Sequence, residues 1–396
     1  MLRQVEGSKA IADVVAACKP EVICAYPISP QTHIVEGLSQ LVKNGELTGC
    51  EFLNVESEFS AMSVAIGASA TGARTYTATA SQGLLYMVEA VYNASGLGLP
   101  IVMTVANRAI GGPINIWNDH SDSMSQRDSG WIQLYAESNQ EATDLHVQAF
   151  RIAEEMSMPV MVCMDGFILT HAFEEIDIPT ADEVSKYLPP FTPRQILDPA
   201  DPVSIGAMVG PEAFMEVKYL AHERMIESLG QITKASEDFK KIFNRDSGGL
   251  VRPYKIERAE TIVIALGSIL GTIKDLVDQM QDEGIQIGVL GITSFRPFPG
   301  AEIREALLHA KRVIVLEKAF QTGIGGIVTQ DVDHAIRGLN IECLTLVAGL
   351  GGRPITTTSL RKYLTQAMAG EVEELTFLDL DQEVVVAELA RERSLR

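Results

Sequence analysis

No two cysteines in this chain are separated by two residues: Cys18, Cys24, Cys50, Cys163 and Cys343 are scattered and odd in number. That spacing excludes the C-x-x-C frameworks of zinc and iron–sulfur sites and a paired disulfide scaffold. The thiols are expected to be small buried hydrophobes, and metal centres for any redox chemistry would have to lie on another polypeptide. Positive charge is scarce too, with 32 Lys and Arg against 52 Asp and Glu and a net charge of −20. A phosphate-tracking surface needs clustered cations, so nucleic acid is not an expected partner. A small anionic substrate, which needs one or two local cations, stays open. No apolar run approaches the roughly 20 residues of a membrane span. Charges at Arg3, Glu6, Lys9 and Asp13 interrupt the start of the chain and leave no signal-peptide core, so a cytoplasmic location is expected. There is no G-x-G-x-x-G after a first strand and no P-loop, and "GIGG" at 323–326 and "GLGG" at 349–352 match weakly. The chain is therefore not expected to hold a diphosphate by itself.

What is present is a globular composition: 396 residues, 46% apolar and 21% charged. That length allows two or three domains, each with its own core. From Ile11 to Met164 short apolar runs alternate with helical periodicity. "EVICAY", "EFLNV", "ARTYTAT", "PIVMTVA" and "PVMVCM" read as strands, with helices beginning near Gln31, Glu58, Gln82 and Asn139. Such alternation predicts a parallel sheet with helices on both faces. A proline-rich stretch from Asp165 to about Pro211 reads as an irregular surface excursion. Phe214, Val217, Ala221, Met225, Leu229, Ile232, Phe239 and Phe243 then recur at helical spacing and predict one long helix. A second alternation follows in "TIVIAL", "IQIGVLGI", "RVIVLE" and "IECLTLVA", and the acidic end of the chain reads as a surface helix or docking tail. The expectation is an α/β protein of two doubly wound parallel-sheet domains. The first covers residues 1–245 with the excursion and connecting helix, the second 255–365, and a tail covers 366–396.

Ligands of open α/β sheets bind beyond the carboxyl ends of the strands, and four candidate segments fall at such ends. "AYPISPQT" puts the Ser29 hydroxyl on a turn fixed by Pro27 and Pro30, where it either meets a ligand or caps the next helix. In "NVESEFSAMSVAIGASATG", Glu56 and Glu58 enter a helix of small residues. A first-turn glutamate complements the helix dipole, which accounts for one carboxylate on a surface helix but not for a helix with almost no polar face. Such a helix is expected to be buried and closely approached, and an enclosed carboxylate at its start favours its protonated form. "TATASQG" runs a strand into Ser81, Gln82 and Gly83, where small residues admit a ligand or another backbone. In "VANRAIGGPINIWNDHSDSM", Arg108 is either a fixed cation for a carboxylate or an ordinary surface arginine, and Gly111 with Gly112 frees its loop to close. Asn118, Asp119, His120 and Asp122 match no zinc or calcium spacing and read as a hydrogen-bonded loop core, so no metal ligand is expected in this chain.

Taken in order, "YPISPQTHIVE", "ESEFSA", "TATASQGLLYM", "PINIWNDHSDSMSQRDSGWIQLYAESNQEA", "DGFILTH" and "SFRPFP" resemble the alpha subunit of the four-subunit 2-oxoacid:ferredoxin oxidoreductases. The pyruvate enzyme is the best known of these, and the likeness runs over about residues 5–350. It implies a thiamine-diphosphate pyrimidine-binding domain followed by a transketolase-C-terminal-like domain. The implied reaction is oxidative decarboxylation of a 2-oxoacid with coenzyme A, giving an acyl-coenzyme A, carbon dioxide and reduced ferredoxin or another reduced acceptor. The implied partners are beta-, gamma- and delta-type subunits. The beta subunit would hold the cofactor's diphosphate and Mg2+, and the others iron–sulfur clusters and much of the coenzyme A site.

Carried over residue by residue, Glu58 is the acid that hydrogen-bonds the pyrimidine nitrogen and so promotes the imino form that takes the C2 proton. Glu56 is less securely matched and fits a structural role. Pro27, Ser81 and Gln82 would border the cofactor, and Arg108 would hold the 2-oxoacid carboxylate. Ser29, Gly111 and Gly112 would surround the substrate. Pyruvate enzymes usually carry threonine at the Ser29 position and a bulkier pair at Gly111 and Gly112. Both departures open space, so pyruvate is the first expectation and an aromatic 2-oxoacid such as phenylglyoxylate the alternative. The competing class is a non-catalytic scaffold subunit, against which the retention of Glu58, Arg108 and Ser29 weighs.

Overall fold

The computed structural model describes residues 2–394. In chain order its strands are β1 (Leu2–Glu6), β2 (Val22–Ala25), β3 (Glu51–Asn54), β4 (Thr75–Thr79), β5 (Ile101–Asn107), β6 (Ile132–Tyr135), β7 (Val160–Asp165) and β8 (Phe173–Asp177). They continue with β9 (Val251–Tyr254), β10 (Thr261–Ala265), β11 (Ile287–Ile292), β12 (Ser294–Arg296), β13 (Arg312–Glu317), β14 (Glu342–Val347) and β15 (Leu375–Phe377). The first large sheet runs β12-β6-β7-β5-β4-β2-β3, parallel throughout except for β12. Strands β4, β5 and β7 are buried along their whole length, which is why they read as unbroken apolar or small-residue runs and not as alternating ones. Helices Gly7–Ala17, Thr32–Lys43 and Asn139–Met156 cover one face, and Glu58–Ala70 and Val88–Gly96 the other.

The second sheet runs β15-β14-β13-β10-β11-β9 and is parallel except for β9. It draws β9 from ahead of residue 255 and β15 from beyond residue 365. Helices Ile269–Asp282 and Thr357–Ala369 close one of its faces. The other face is not separate from the first domain: Ile262, Ile264, Leu290 and Val315 belong to the same buried cluster as Met62, Leu84, Met103 and Trp131. Strand β12 adds to this by crossing over to pair with β6. The architecture is α/β with two doubly wound, mostly parallel sheets on a shared core.

The stretch after Asp165 is not wholly irregular. Strand β8 pairs antiparallel with β1, and Ala181–Tyr187 is a helix whose start is fixed by a capping box between Thr180 and Glu183. Strands β1 and β8 escape the sequence reading because they form a short, largely exposed ribbon with no apolar alternation. The long helix spans Phe214–Phe243 as its period predicts, but burial is confined to Ser228, Ile232, Ala235 and Phe239. Phe214, Val217 and Ala221 face solvent, because the first domain's core reaches only the half from Met225 onward. Helix Glu58–Ala70 likewise departs from the enclosure expected of it. Ala61, Met62 and Ala65 are buried, whereas Phe59, Ser63 and Gly67, spaced by one turn, form an open face. The terminal helix Gln382–Ser394 buries nothing. Among the described residues no helix is long and apolar enough to cross a membrane.

Candidate active site

Parallel pairing brings the carboxyl ends of β2, β3, β4, β5 and β7 to one edge of the first sheet. Arg108, the residue after β5, is only 6% exposed. Its Nε donates to the carbonyl of Asn115 at 3.0 Å and its Nη1 to the carbonyl of Ser29 at 3.0 Å. Burial lowers its pKa from the ordinary value, with the Asp122 carboxylate opposing that shift; a guanidinium so placed remains charged. Its side chain forms no ion pair among the described residues, so two neutral carbonyls steer a cation that still has donors to offer.

Asp122 holds this edge from below and is fully buried. Its Oδ2 accepts from the backbone N–H groups of Ser81 and Arg108, both at 2.9 Å. Its Oδ1 accepts from Asn107 Nδ2 at 2.8 Å and from the Ser123 N–H at 2.7 Å. Burial pushes the carboxyl up to about 6 against the pull of these donors. One side chain thereby locks the end of β4 to the end of β5. Ser81 needs that lock, since its φ of 50° is a left-handed conformation costing a non-glycine residue roughly 1–3 kcal/mol. Its Oγ donates in turn to the Ala109 carbonyl at 2.5 Å and lies against the Gln82 side-chain amide.

Glu58 opens its helix behind an N-cap, Ser57, whose hydroxyl accepts from the Ser60 N–H at 3.2 Å. It is 7% exposed, and no hydrogen bond reaches its carboxylate among the described residues. It lies against the backbone of Gly83. A Cβ at that position would stand 2.7 Å from Glu58 Oε1 and 2.6 Å from Thr79 Oγ1, so the close approach requires glycine. The Thr79 hydroxyl is itself buried and without a partner. Glu56 is a different kind of residue: it is exposed and accepts from Ser60 Oγ at 2.6 Å, a bond that lowers its pKa. The two carboxylates that look alike in sequence are thus an exposed acceptor for the Ser60 hydroxyl and, among the described residues, an enclosed acid without a hydrogen-bond partner.

Ser29 presents an exposed side chain while its carbonyl is bound by Arg108, and Pro27 lies exposed on the same turn. A Cβ on Gly111 would fall 2.0 Å from Gln82 Nε2, so the glycine makes room for the Gln82 side chain. Gly112, with φ of 109°, has nothing within 4 Å of its missing Cβ. The structure thus joins Ser29 to Arg108, Gln82 to Gly111, and Glu58 to Gly83, with Asp122 linking the Ser81 and Arg108 turns. Gln31, buried after the β2 turn, adds a tie to β4 through Nε2 and the Ala78 carbonyl at 2.7 Å.

The Asn118–Asp122 segment is a hydrogen-bonded core that reaches into the second domain. His120 Nε2 and Asp165 Oδ1 are 2.6 Å apart, Asp165 Oδ2 accepts from Lys318 Nζ at 2.8 Å, and Lys318 also donates to Asn118 Oδ1. Ser268 donates to Asp165, and the Gly351 N–H to Asp119 Oδ2 at 3.0 Å. Burial alone would raise the Asp165 carboxyl, but the Lys318 ammonium and His120 beside it hold it well below the usual carboxylate range. Sequence reasoning missed Asp122 as an organiser, and it missed Asp165 and Lys318. The available signal was position alone, since Asp165 ends β7 and Lys318 follows β13. Asp165→Ala leaves the Lys318 charge buried and unpaired, so it is expected to destabilise the chain by about 3–5 kcal/mol. Denaturant unfolding of the full chain measures this, and a loss below about 1 kcal/mol would show that solvent replaces the carboxylate.

Residues 13–236 match the family described as "Pyruvate flavodoxin/ferredoxin oxidoreductase, thiamine diP-bdg". Residues 259–360 match "Pyruvate:ferredoxin oxidoreductase core domain II". With the fold, these matches define a subunit of a thiamine-diphosphate-dependent 2-oxoacid oxidoreductase. Similar proteins are the pyruvate synthase subunits PorA of Methanosarcina barkeri, 47% identical over 96% of this chain and 97% of that one, and of Methanothermobacter thermautotrophicus, 41% identical over 97% and 99%. The ketoisovalerate oxidoreductase subunit VorA of Pyrococcus horikoshii is 37% identical over 93% of this chain and 94% of its own. The chain belongs to the pyruvate:ferredoxin oxidoreductase family, as an alpha-type subunit. In fold it is similar to a 2-oxoglutarate:ferredoxin oxidoreductase from Magnetococcus marinus, with a TM-score of 0.68 at 19% identity. That likeness covers 92% of this chain and 65% of the other.

Proposed function

We propose that this chain supplies the substrate-carboxylate clamp and the cofactor-activating acid of a cytoplasmic complex that converts pyruvate and coenzyme A to acetyl-coenzyme A, carbon dioxide and reduced ferredoxin. The observation that carries this reading is Arg108, a buried guanidinium steered by two carbonyls and held in no salt bridge among the described residues. It can grip the carboxylate that every 2-oxoacid carries. Thiamine diphosphate, when bound, supplies the nucleophilic carbon and the electron sink that decarboxylation needs. The residues present fit it: Glu58 carries an unpartnered carboxyl, and bare Gly83 leaves backbone beside it. Glu58 would hold a proton at the pyrimidine nitrogen, with Ser81 and Gln82 bordering the ring. The absence of a phosphate-binding fingerprint assigns the diphosphate and Mg2+ to a beta-type partner, for which the open Phe59–Ser63–Gly67 face offers an approach. The scattered cysteines, with no C-x-x-C pair, support a reading in which iron–sulfur clusters belong to partner subunits.

Among 2-oxoacids, a small side group is favoured because Gln82 fills the volume at Gly111. The names of the relatives at 47% and 41% identity point the same way. The purified complex assayed against a panel of 2-oxoacids tests the proposal: pyruvate should give the highest kcat/KM. A higher value for 2-oxoisovalerate or phenylglyoxylate would retain the reaction class and overturn the substrate. Ser29→Thr adds a methyl beside the Arg108 anchor. It should leave pyruvate turnover within a few-fold and cost a branched or aryl 2-oxoacid roughly 1–3 kcal/mol through overpacking. An unchanged ratio of kcat/KM between bulky and methyl substrates would remove Ser29 from the pocket wall.

A further inference from the structure

We propose that Glu6, His33 and His171 form a binding site for one divalent transition-metal ion of the zinc class, outside the residues assigned to catalysis. Glu6 ends β1, His33 lies in the first turn of helix Thr32–Lys43, and His171 closes the loop that follows β7. These segments are distant in sequence, yet one ligand atom from each lies within 4.8 Å of the other two. Glu6 Oε1 and His33 Nδ1 are 2.7 Å apart, and the two imidazole centroids are separated by 4.7 Å. Two imidazole nitrogens and one carboxylate oxygen make a set that zinc takes at about 2.0–2.2 Å, with a fourth position left to water. Ligand atoms around such an ion are about 3.4 Å apart, so rotamer-scale adjustment closes the site.

A second feature points the same way. His171 Nδ1 is engaged by Thr170 Oγ1 at 2.7 Å, and that hydroxyl also accepts from the Phe167 N–H at 2.8 Å. The contact orients the ring, and with Nδ1–H donating to the hydroxyl it leaves Nε2 of His171 for an ion, the arrangement in which the outer hydrogen bond of a metal-bound imidazole supports its ligand nitrogen. A Glu6–His33 hydrogen bond alone accounts for two of the three residues, but not for a second imidazole brought to ligand distance. An ion here would tie the loop after β7 to the helix that follows Ser29. In that loop Phe167 packs on Trp117 with ring centroids 5.0 Å apart, and a Cβ on Gly166 would meet Pro30 Cγ at 2.5 Å. Metal occupancy would therefore stiffen the rim of the active-site edge without entering it.

The test is calorimetric titration of the full chain with Zn2+ at neutral pH, together with its thermal midpoint. One ion per chain is expected in the micromolar range, with a rise in Tm as the ion binds the folded state alone. His33→Gln, His171→Asn and Glu6→Gln should each weaken binding by roughly tenfold or more, whereas the exposed His222→Gln should leave it unchanged. Metal-free Tm values establish that the variants fold, and Glu6→Gln keeps the proposal testable if a histidine variant does not. Co2+ loading provides a further readout, since tetrahedral coordination gives strong visible absorption. Binding weaker than the micromolar range, or binding indifferent to all three ligand variants, would overturn the site.

Discussion

The Glu58→Gln complex is expected to assemble and bind thiamine diphosphate yet lose turnover by roughly 10²–10⁴-fold, the range a positioned acid–base group contributes. The substitution preserves shape and removes only the exchangeable carboxyl proton. Nothing in the described structure depends on that proton, because among the described residues no hydrogen bond reaches the carboxylate and the surface it covers is the backbone of Gly83. Stability should therefore change by less than about 1 kcal/mol, whereas chemistry that needs an acid beside the pyrimidine nitrogen should stop. Steady-state assays of the reconstituted complex, alongside cofactor affinity and Tm, separate the two effects. Turnover within threefold of wild type, or a loss explained wholly by weaker cofactor binding, would remove Glu58 from the proton path. Glu56→Gln is the internal control: that carboxylate is exposed and bound to Ser60, so its loss should leave the rate unchanged.

The contrast between these two glutamates also shows what a sequence can carry. The strands buried on both faces, β4, β5 and β7, announce themselves as apolar runs, and the residues at their carboxyl ends follow from topology alone. That is enough to bring Ser29, Glu58, Ser81 and Arg108 to one edge. It is not enough to show how the edge is held. Asp122 looked like one polar residue in a polar loop, and its four accepted hydrogen bonds depend on where β4 and β5 place their N–H groups. Asp165 and Lys318 lie 153 positions apart, so no local pattern links them. Gly111 shows the same limit: its sequence reads as open space, and only the structure shows the Gln82 amide lying against it, a neighbour set by sheet register. The long helix errs similarly, since its apolar period runs the full length from Phe214 while its cover begins near Met225. Periodicity reports what a helix can bury, and the extent of the surface beneath it decides what it does bury.

Arg108→Ala is expected to raise the KM for the 2-oxoacid by roughly 30–1,000-fold, the effect of removing one partner from a desolvated, hydrogen-bonded charge pair. The KM for coenzyme A should stay within about threefold, because only one of the two substrates loses a partner. This split matters because Arg108 also has a structural occupation: its Nε and Nη1 tie Asn115 to Ser29. If that tie were its whole role, alanine would loosen both loops and lower kcat for every substrate alike. Arg108→Lys sharpens the distinction. A lysine keeps the positive charge but cannot reach two carbonyls and a carboxylate with one planar fork, so it should recover part of the 2-oxoacid KM while leaving the loop ties broken. Partial rescue by lysine, confined to the 2-oxoacid, identifies charge as what the substrate feels. Equal losses in alanine and lysine variants, shared by both substrates, would make Arg108 a brace for the rim. The anionic guest would then need another cation, and among the described residues Arg108 is the buried arginine that the loop after β5 provides.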